Sequence, residues 1–65
     1  MVKYQVYSNV NPLEPNVFIE VWSSDTCGSV NQSEQWRLAI EAGHSLISKG
    51  YGAYIKETIQ NIYDL

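Results

Sequence analysis

The fold is decided by residues 31–50, which read NQSEQWRLAIEAGHSLISKG. Asn31 lies three residues before Glu34, a spacing that resembles a capping box with Asn in place of the usual Ser or Thr. Ser33 is a rival for the cap position, and Gly50 is the expected left-handed stop. These signals predict one helix with a defined start and a defined end.

One face of this predicted helix is apolar. Small or apolar residues recur along it at three- and four-residue spacing, which is typical of a stripe that faces a core. The stripe consists of Trp36, Ala39, Ile40, Gly43 and Ile47. A glycine inside a helix costs about 1 kcal/mol relative to alanine, so we expect Gly43 to mark a close approach of the helix to a sheet.

The segment after the helix fits two structures. Read as a helix, its apolar stripe would run from Tyr54 to Tyr63. Read as a strand, it is rich in β-branched and aromatic residues, and a helix with a short glycine turn often leads into a strand. We therefore predict a strand over Gly52–Ile59 and keep a second helix as the alternative.

The same region resembles a known family. Ser33 to Ile55, which ends in the run KGYGAYI, resembles the helix-to-strand half of sporulation-related repeat domains. Those domains pair two such halves and bind peptidoglycan glycans. The resemblance covers about a third of the chain, contains no diagnostic residue, and implies a helix followed by a strand.

Two strands are predicted before the helix. Val2–Ser8 alternates, with apolar residues on one face and Lys3, Gln5 and Tyr7 on the other. A loop with prolines and asparagines follows, and the second strand is Val17–Ser23. Its odd positions are apolar, and its even positions carry Phe18 and Trp22 on either side of Glu20. Because side chains alternate across a strand, this strand is apolar on both faces.

A strand that is apolar on both faces predicts a binding surface. One face can close a small core, and the other needs a second cover, because monomers seldom expose large apolar patches. Aromatic rings are the typical anchors of interfaces. The predicted partner-binding residues are Tyr7, Phe18, Glu20, Trp22 and Tyr54.

Two other roles for these rings stay open. They could stack on a small ligand such as a nucleotide, with Lys3 and Lys56 meeting its phosphates. They could instead pack against the chain's own end, namely Ile62, Tyr63 and Leu65. Glu20 is either a specificity group within the patch, paired with Lys3 or Lys56 across the sheet, or a solvent-facing strand residue in a cross-strand ion pair.

Composition and charge exclude several classes of function. The chain has 65 residues, a net charge of −3 and four scattered cations, which argues against a binder of nucleic-acid duplexes. No apolar run approaches the roughly 20 residues that span a bilayer. Met1 reads as a natural start without an export signal, and a lone free thiol fits a reducing compartment, so we expect a cytoplasmic protein.

Catalytic chemistry has little support. Cys27 is the only cysteine, so it allows no internal disulfide and no zinc-ligand spacing. His44 is the only histidine that could activate it, and this acidic chain offers nothing obvious to favour the thiolate. We therefore expect no enzyme, no cofactor and no metal, with a Cys27 nucleophile as the enzymatic alternative.

The sequence as a whole predicts a single α+β domain over residues 1–65. Its expected order is β-β-α-β, with a three-stranded antiparallel sheet and one helix packed on one face; the alternative is a β-hairpin followed by two helices. The predicted core joins Trp36, Ile40 and Ile47 to Tyr4, Val6, Val17, Ile19 and Val21. The expected function is a non-enzymatic interaction module that forms a homodimer or larger assembly, or docks on another protein. By analogy of size and charge, it suits a small regulator or inhibitor from a phage or mobile element.

Overall fold

The computed structural model describes residues 3–26, 31–58 and 61–65 as a small α+β fold. Its elements are β1 (Tyr4–Ser8), β2 (Ile19–Ser23), a short 3-10 turn (Ser24–Thr26), α1 (Gln32–Ser48), β3 (Ala53–Glu57) and β4 (Ile62–Asp64). The strands form one antiparallel sheet in the order β2-β1-β3-β4. The α+β class and the helix on one face are confirmed.

The number of strands differs from the expected three. β3 lies within the predicted Gly52–Ile59, so the strand interpretation is confirmed and the alternative with two helices is wrong. β4 then pairs with β3 as a fourth strand. A strand of three residues is too short to show the period-2 pattern on which sequence prediction relies, which is why β4 was not expected.

The helix is bounded by the two predicted signals. The side-chain oxygen of Asn31 accepts a hydrogen bond from the Glu34 N–H at 3.2 Å, so Asn31 is the N-cap and Ser33 lies inside the helix. At the other end Gly50 has a φ of 97°. The Gly50 N–H donates to the Ile47 carbonyl at 2.9 Å, and the Tyr51 N–H donates to the Leu46 carbonyl at 3.1 Å. This pair of bonds is a Schellman stop.

The core lies between α1 and the two central strands. Its buried apolar residues are Tyr4, Val6, Ala39, Ala53 and Ile55. Trp36 and Ile40 pack against this cluster from the helix, as predicted. The ring centroids of Tyr4 and Trp36 are 5.2 Å apart. Burial therefore concentrates on β1 and β3, the strands that have a neighbour on both sides.

Three apolar residues in and just before β2 do not join the core, so their predicted core role is wrong. Val17, Ile19 and Val21 remain 45%, 44% and 39% exposed. The reason is topological, because α1 packs chiefly over β1 and β3 and leaves β2 as an edge strand. Ile47 is also exposed, and Leu46 takes the inward position in the last turn of the helix.

A β-bulge moves Trp22 to the helix side of the sheet. In the β1–β2 ladder Val6 is opposite Trp22 but Tyr7 is opposite Glu20, which leaves Val21 without a partner. Residues directly opposite in a ladder point to the same face, so Trp22 shares the face of buried Val6 and packs against the core. The prediction that Trp22 lies on one face with Phe18 and Glu20 is therefore wrong.

Gly43 marks a close approach, but chiefly to the end of the chain. A Cβ added at Gly43 would collide with Cδ1 of Leu65 and would lie 4.0 Å from Cγ1 of Val6. Leu65 itself packs against the buried core. The missing side chain of Gly43 thus makes room for Leu65 between the helix and the sheet. Among the described residues, no helix is long and apolar enough to cross a membrane.

Candidate functional site

The sheet face that points away from α1, called the open face below, has no described helix or strand packed over it. The ladder registers and the alternation of side chains decide which residues lie on it. They are Gln5 and Tyr7 from β1, Glu20 and Ser23 from β2, Tyr54 and Lys56 from β3, and Ile62 and Asp64 from β4. All four strands contribute to this surface.

An aromatic cluster, made of Tyr7, Phe18 and Tyr54, occupies one end of the open face. The rings of Tyr7 and Tyr54 stack, with centroids 5.3 Å apart and planes 9° apart. The centroid of the Phe18 ring lies 5.4 Å from that of Tyr54, at a tilt of 38°. Phe18 is 38% exposed, so the rings of the cluster pack on one another while part of the Phe18 ring stays accessible to solvent.

A hydrogen-bonded junction places Phe18 beside Tyr54. The Gly52 N–H donates to Oδ1 of Asn9 at 2.7 Å, and Nδ2 of Asn9 donates to the Pro15 carbonyl at 3.0 Å. The Ser8 hydroxyl donates to the Gly52 carbonyl at 2.6 Å. One asparagine thus ties the loop before β2 to the backbone before β3. Cζ of Phe18 would lie 3.2 Å from a Cβ at position 52, so glycine lets this ring approach the backbone.

Charged residues flank the aromatic cluster in a defined pattern. Tyr7 is opposite Glu20 on one side and Tyr54 on the other, and Tyr54 is opposite Asp64. One row across the sheet therefore has a carboxylate at each end and the two stacked tyrosines between them. Lys56 lies in the next row. These three charged side chains form no ion pair with any other described residue.

Lys3 forms an ion pair with Asp25. Its Nζ lies 2.6 Å from Oδ2 of Asp25, in the turn after β2. The hydrogen bond to Asp25, and then the charge of Asp25, raise the pKa of the Lys3 ammonium above its ordinary value. Glu20 forms no ion pair within the described chain, and its charge raises the Lys3 pKa less than Asp25 does.

The end of the chain does not cover the aromatic cluster. Tyr63 is opposite Ile55 in the ladder, so it lies on the helix side, where its ring centroid is 4.8 Å from that of Trp36. Leu65 packs over Gly43 on the same side. Of the three apolar residues at this end, Ile62, Tyr63 and Leu65, only Ile62 lies on the open face, and it is 63% exposed. The described contacts therefore do not support self-covering of the rings.

Glu57, Asn61 and Tyr63 form a polar cluster at the β3–β4 hairpin. Oε2 of Glu57 accepts from Nδ2 of Asn61 at 2.6 Å and from the Tyr63 hydroxyl at 3.2 Å. Partial burial raises the pKa of the Tyr63 phenol, and the nearby negative charge of Glu57 raises it further. These contacts hold β4 in place and so position Asp64 on the open face.

Four of the five predicted site residues lie together and one does not. Tyr7, Phe18, Glu20 and Tyr54 share the open face, whereas Trp22 faces the core. Sequence reasoning missed Ile62 and Asp64, because no strand was predicted there. The alternation of Ile62 and Asp64 around Tyr63 was the only available signal, and three residues carry too little of it.

Neither a ligand pocket nor a catalytic pair emerges from the described geometry. A groove of about 220 Å³ is lined by Glu20, Val21, Trp22 and Ser23, successive residues of one strand, so it does not surround a ligand. Ligand pockets typically occupy about 300–1,000 Å³. Cys27 lies outside the described residues, and His44 is exposed on α1. No metal-binding group of three or more acidic, His or Cys side chains occurs within the described ranges.

Comparison of the chain with family models, with curated proteins and with solved structures found no match. The resemblance to sporulation-related repeat domains therefore has no support from a family match.

Proposed function

We propose that this chain is a small, non-enzymatic protein-interaction module that binds through its open face. The observation that carries the proposal is the stacked pair Tyr7–Tyr54 with Phe18 beside it, on a sheet face that no described element covers. Rings held rigid before binding lose little conformational entropy when a partner arrives. An aromatic patch with a charged rim is the composition that favours protein interfaces.

The partner that we propose first is a second copy of the chain. Among the described residues, the buried apolar core contains few large side chains: Val6, Ala39 and Ile55 are its fully buried members, and Ala39 is small. Small domains with limited cores commonly gain stability by oligomerisation. Covering the aromatic cluster would remove additional apolar area from water, at about 25 cal/mol per Å². A self-associating acidic module of this kind suits a small regulator or inhibitor that also docks on another protein.

A nucleotide-binding role is less well supported by the geometry. In that role Trp22 belongs to the stacking platform, and Lys3 and Lys56 meet the phosphates. Trp22 packs on the helix side, and Lys3 pairs with Asp25. Tyr7 and Tyr54 already stack on each other, so no gap for a base lies between their rings. Glu20 and Asp64 would also repel a phosphate that approached either edge of the row.

The proposal is tested by the solution mass of matched variants. Phe18→Ser removes a ring of the cluster, and Leu13→Ser removes an apolar side chain that is 88% exposed in the loop. We expect Phe18→Ser to raise the dissociation constant of the assembly by about tenfold or more, since interface anchors typically contribute over 1 kcal/mol. Leu13→Ser should leave it unchanged. Equal assembly in both variants, with the helical signal intact, would refute the proposal.

We also propose the cytoplasm as the working compartment, because a single free thiol suits a reducing environment. Fractionation of cells that express the chain would test this, and recovery in the secreted or membrane fraction would contradict it.

A further inference from the structure

We infer that two copies pack open face to open face about a two-fold axis that runs across the strands, so that Lys56 of each copy lies against Tyr54 and Asp64 of the other. This inference rests on the proposed self-association and specifies its geometry. It starts from the positions of three charges that have no ion-pair partner among the described residues.

The open face carries both signs of charge in neighbouring rows. One row holds Glu20 and Asp64 at its two ends, with the tyrosine pair between them. In the next row Lys56 lies between Gln5 and Ile62. A surface that binds a copy of itself must be self-complementary, so like charges must not face each other across the symmetry axis.

An axis parallel to the strands does not satisfy this requirement. It would place each row opposite itself with the strand order reversed, so that β2 faces β4 of the second copy. Glu20 would then meet Asp64 of the second copy, twice in the dimer. Two pairs of like charges in a desolvated interface oppose binding.

An axis across the strands, between the two rows, does satisfy it. Each strand then faces the same strand of the second copy, and one row faces the other. Lys56 lies opposite Tyr54 of the second copy, where an ammonium can pack on the ring face. Asp64 neighbours Tyr54 in the ladder, so its carboxylate flanks the same ammonium. The contact occurs twice, and both sheets keep the aligned orientation that is common in packed sheets.

Charge exchange between two single variants tests this geometry. Lys56→Glu alone would place like charges at both contacts of its homodimer, and Asp64→Lys alone would do the same with the opposite sign. In a mixed dimer, each of the two contacts between position 56 of one chain and position 64 of the other again joins opposite charges. Restoration in the mixture reports pairing between chains, because neither variant contains the restored pair within itself.

The measurement is solution mass by light scattering for each variant and for their equimolar mixture. We expect each variant alone to dissociate about tenfold or more readily than the unmodified chain, and the mixture to regain its dimer. Glu14→Lys, a charge reversal in the loop, is the matched control and should dimerise normally. The helical circular dichroism signal confirms that each variant is folded.

The contrary outcomes separate this inference from the proposed function. If both variants dimerise normally, or if the mixture stays monomeric, the packing geometry is wrong while self-association stands. If the unmodified chain is itself monomeric throughout, self-association through the open face fails, and this geometry fails with it.

Discussion

The side chain of Asn9 accepts a hydrogen bond from the Gly52 N–H at 2.7 Å and thereby joins the loop before β2 to the start of β3. These residues are 43 positions apart in sequence. The same asparagine donates to the Pro15 carbonyl, and the Phe18 ring lies on Gly52. The junction therefore holds Phe18 against Tyr54 before any partner binds.

Replacing Asn9 should destabilise the fold. In Asn9→Ala the partly buried Gly52 N–H loses its acceptor, and we expect the free energy of unfolding to fall by about 1–3 kcal/mol. Asn9→Asp keeps the acceptor but cannot donate to the Pro15 carbonyl, so its loss should be intermediate. Asn11→Ala, which removes only the exposed bond to the Leu13 N–H, is the control. Urea unfolding measures all three, and equal losses for Asn9→Ala and Asn11→Ala would argue against the junction.

Trp22 should behave as a core residue. Because its indole packs against the buried cluster, Trp22→Ala should lower the free energy of unfolding by about 2 kcal/mol or more. Val21→Ala, at the unpaired bulge position, should cost less than about 1 kcal/mol. Chemical denaturation at one fixed protein concentration compares them. A larger loss for Val21→Ala would mean that the bulge lies elsewhere and that the indole is on the open face.

Gly43 and Leu65 should be energetically coupled. Gly43→Ala gains about 1 kcal/mol of helix propensity but displaces the Leu65 side chain from its place over the helix. In a Leu65→Ala background the displaced atoms are gone, so the same substitution should stabilise by about 1 kcal/mol. A double-mutant cycle measures the difference. The contact between the two residues is disproved if Gly43→Ala has the same effect in both backgrounds.

Stability should fall on the alkaline side through two identifiable groups. The folded-state pKa values of Lys3 and Tyr63 are both raised, from ordinary values of 10.5 and 10.0. A raised pKa means that the protonated form is favoured in the folded state. The contribution is therefore complete below the ordinary value and is lost as pH rises through the folded value.

Two substitutions should each reduce this loss of stability at alkaline pH. Asp25→Asn removes the partner that raises the Lys3 pKa, and Tyr63→Phe removes the phenol. Urea midpoints between about pH 8 and pH 11 should fall less steeply in either variant than in the unmodified chain. Glu14→Gln is the control. Unchanged steepness in both variants would contradict the assigned causes.

Local signals in the sequence were sufficient for the helix and for β1. Asn31 and Gly50 are specific capping residues, and the alternation around Tyr4 and Val6 is uninterrupted. These features depend on neighbours within a few positions, so they can be recognised without a tertiary structure. The strand after Gly50 was predictable in the same way, from its β-branched and aromatic content.

The faces of β2 depended on information that the local pattern does not contain. The alternation from Val17 to Trp22 is regular, but a bulge at Val21 reverses the face of Trp22. Bulges arise from how a strand meets its neighbour, and one extra residue moves every following side chain to the other face. The addition of β4 likewise depends on a long-range ladder with β3. Sequence reasoning therefore found most of the aromatic cluster but misplaced Trp22 and missed Asp64.

Self-association through the open face is tested by the solution mass of the unmodified chain over a wide concentration range, measured by size-exclusion chromatography with light scattering. If the open face binds a second copy, the mass should rise with concentration to twice the 7.4 kDa of one chain, and Phe18→Ser should shift that rise to higher concentration. A mass that stays at 7.4 kDa up to about millimolar concentration would contradict self-association through the open face.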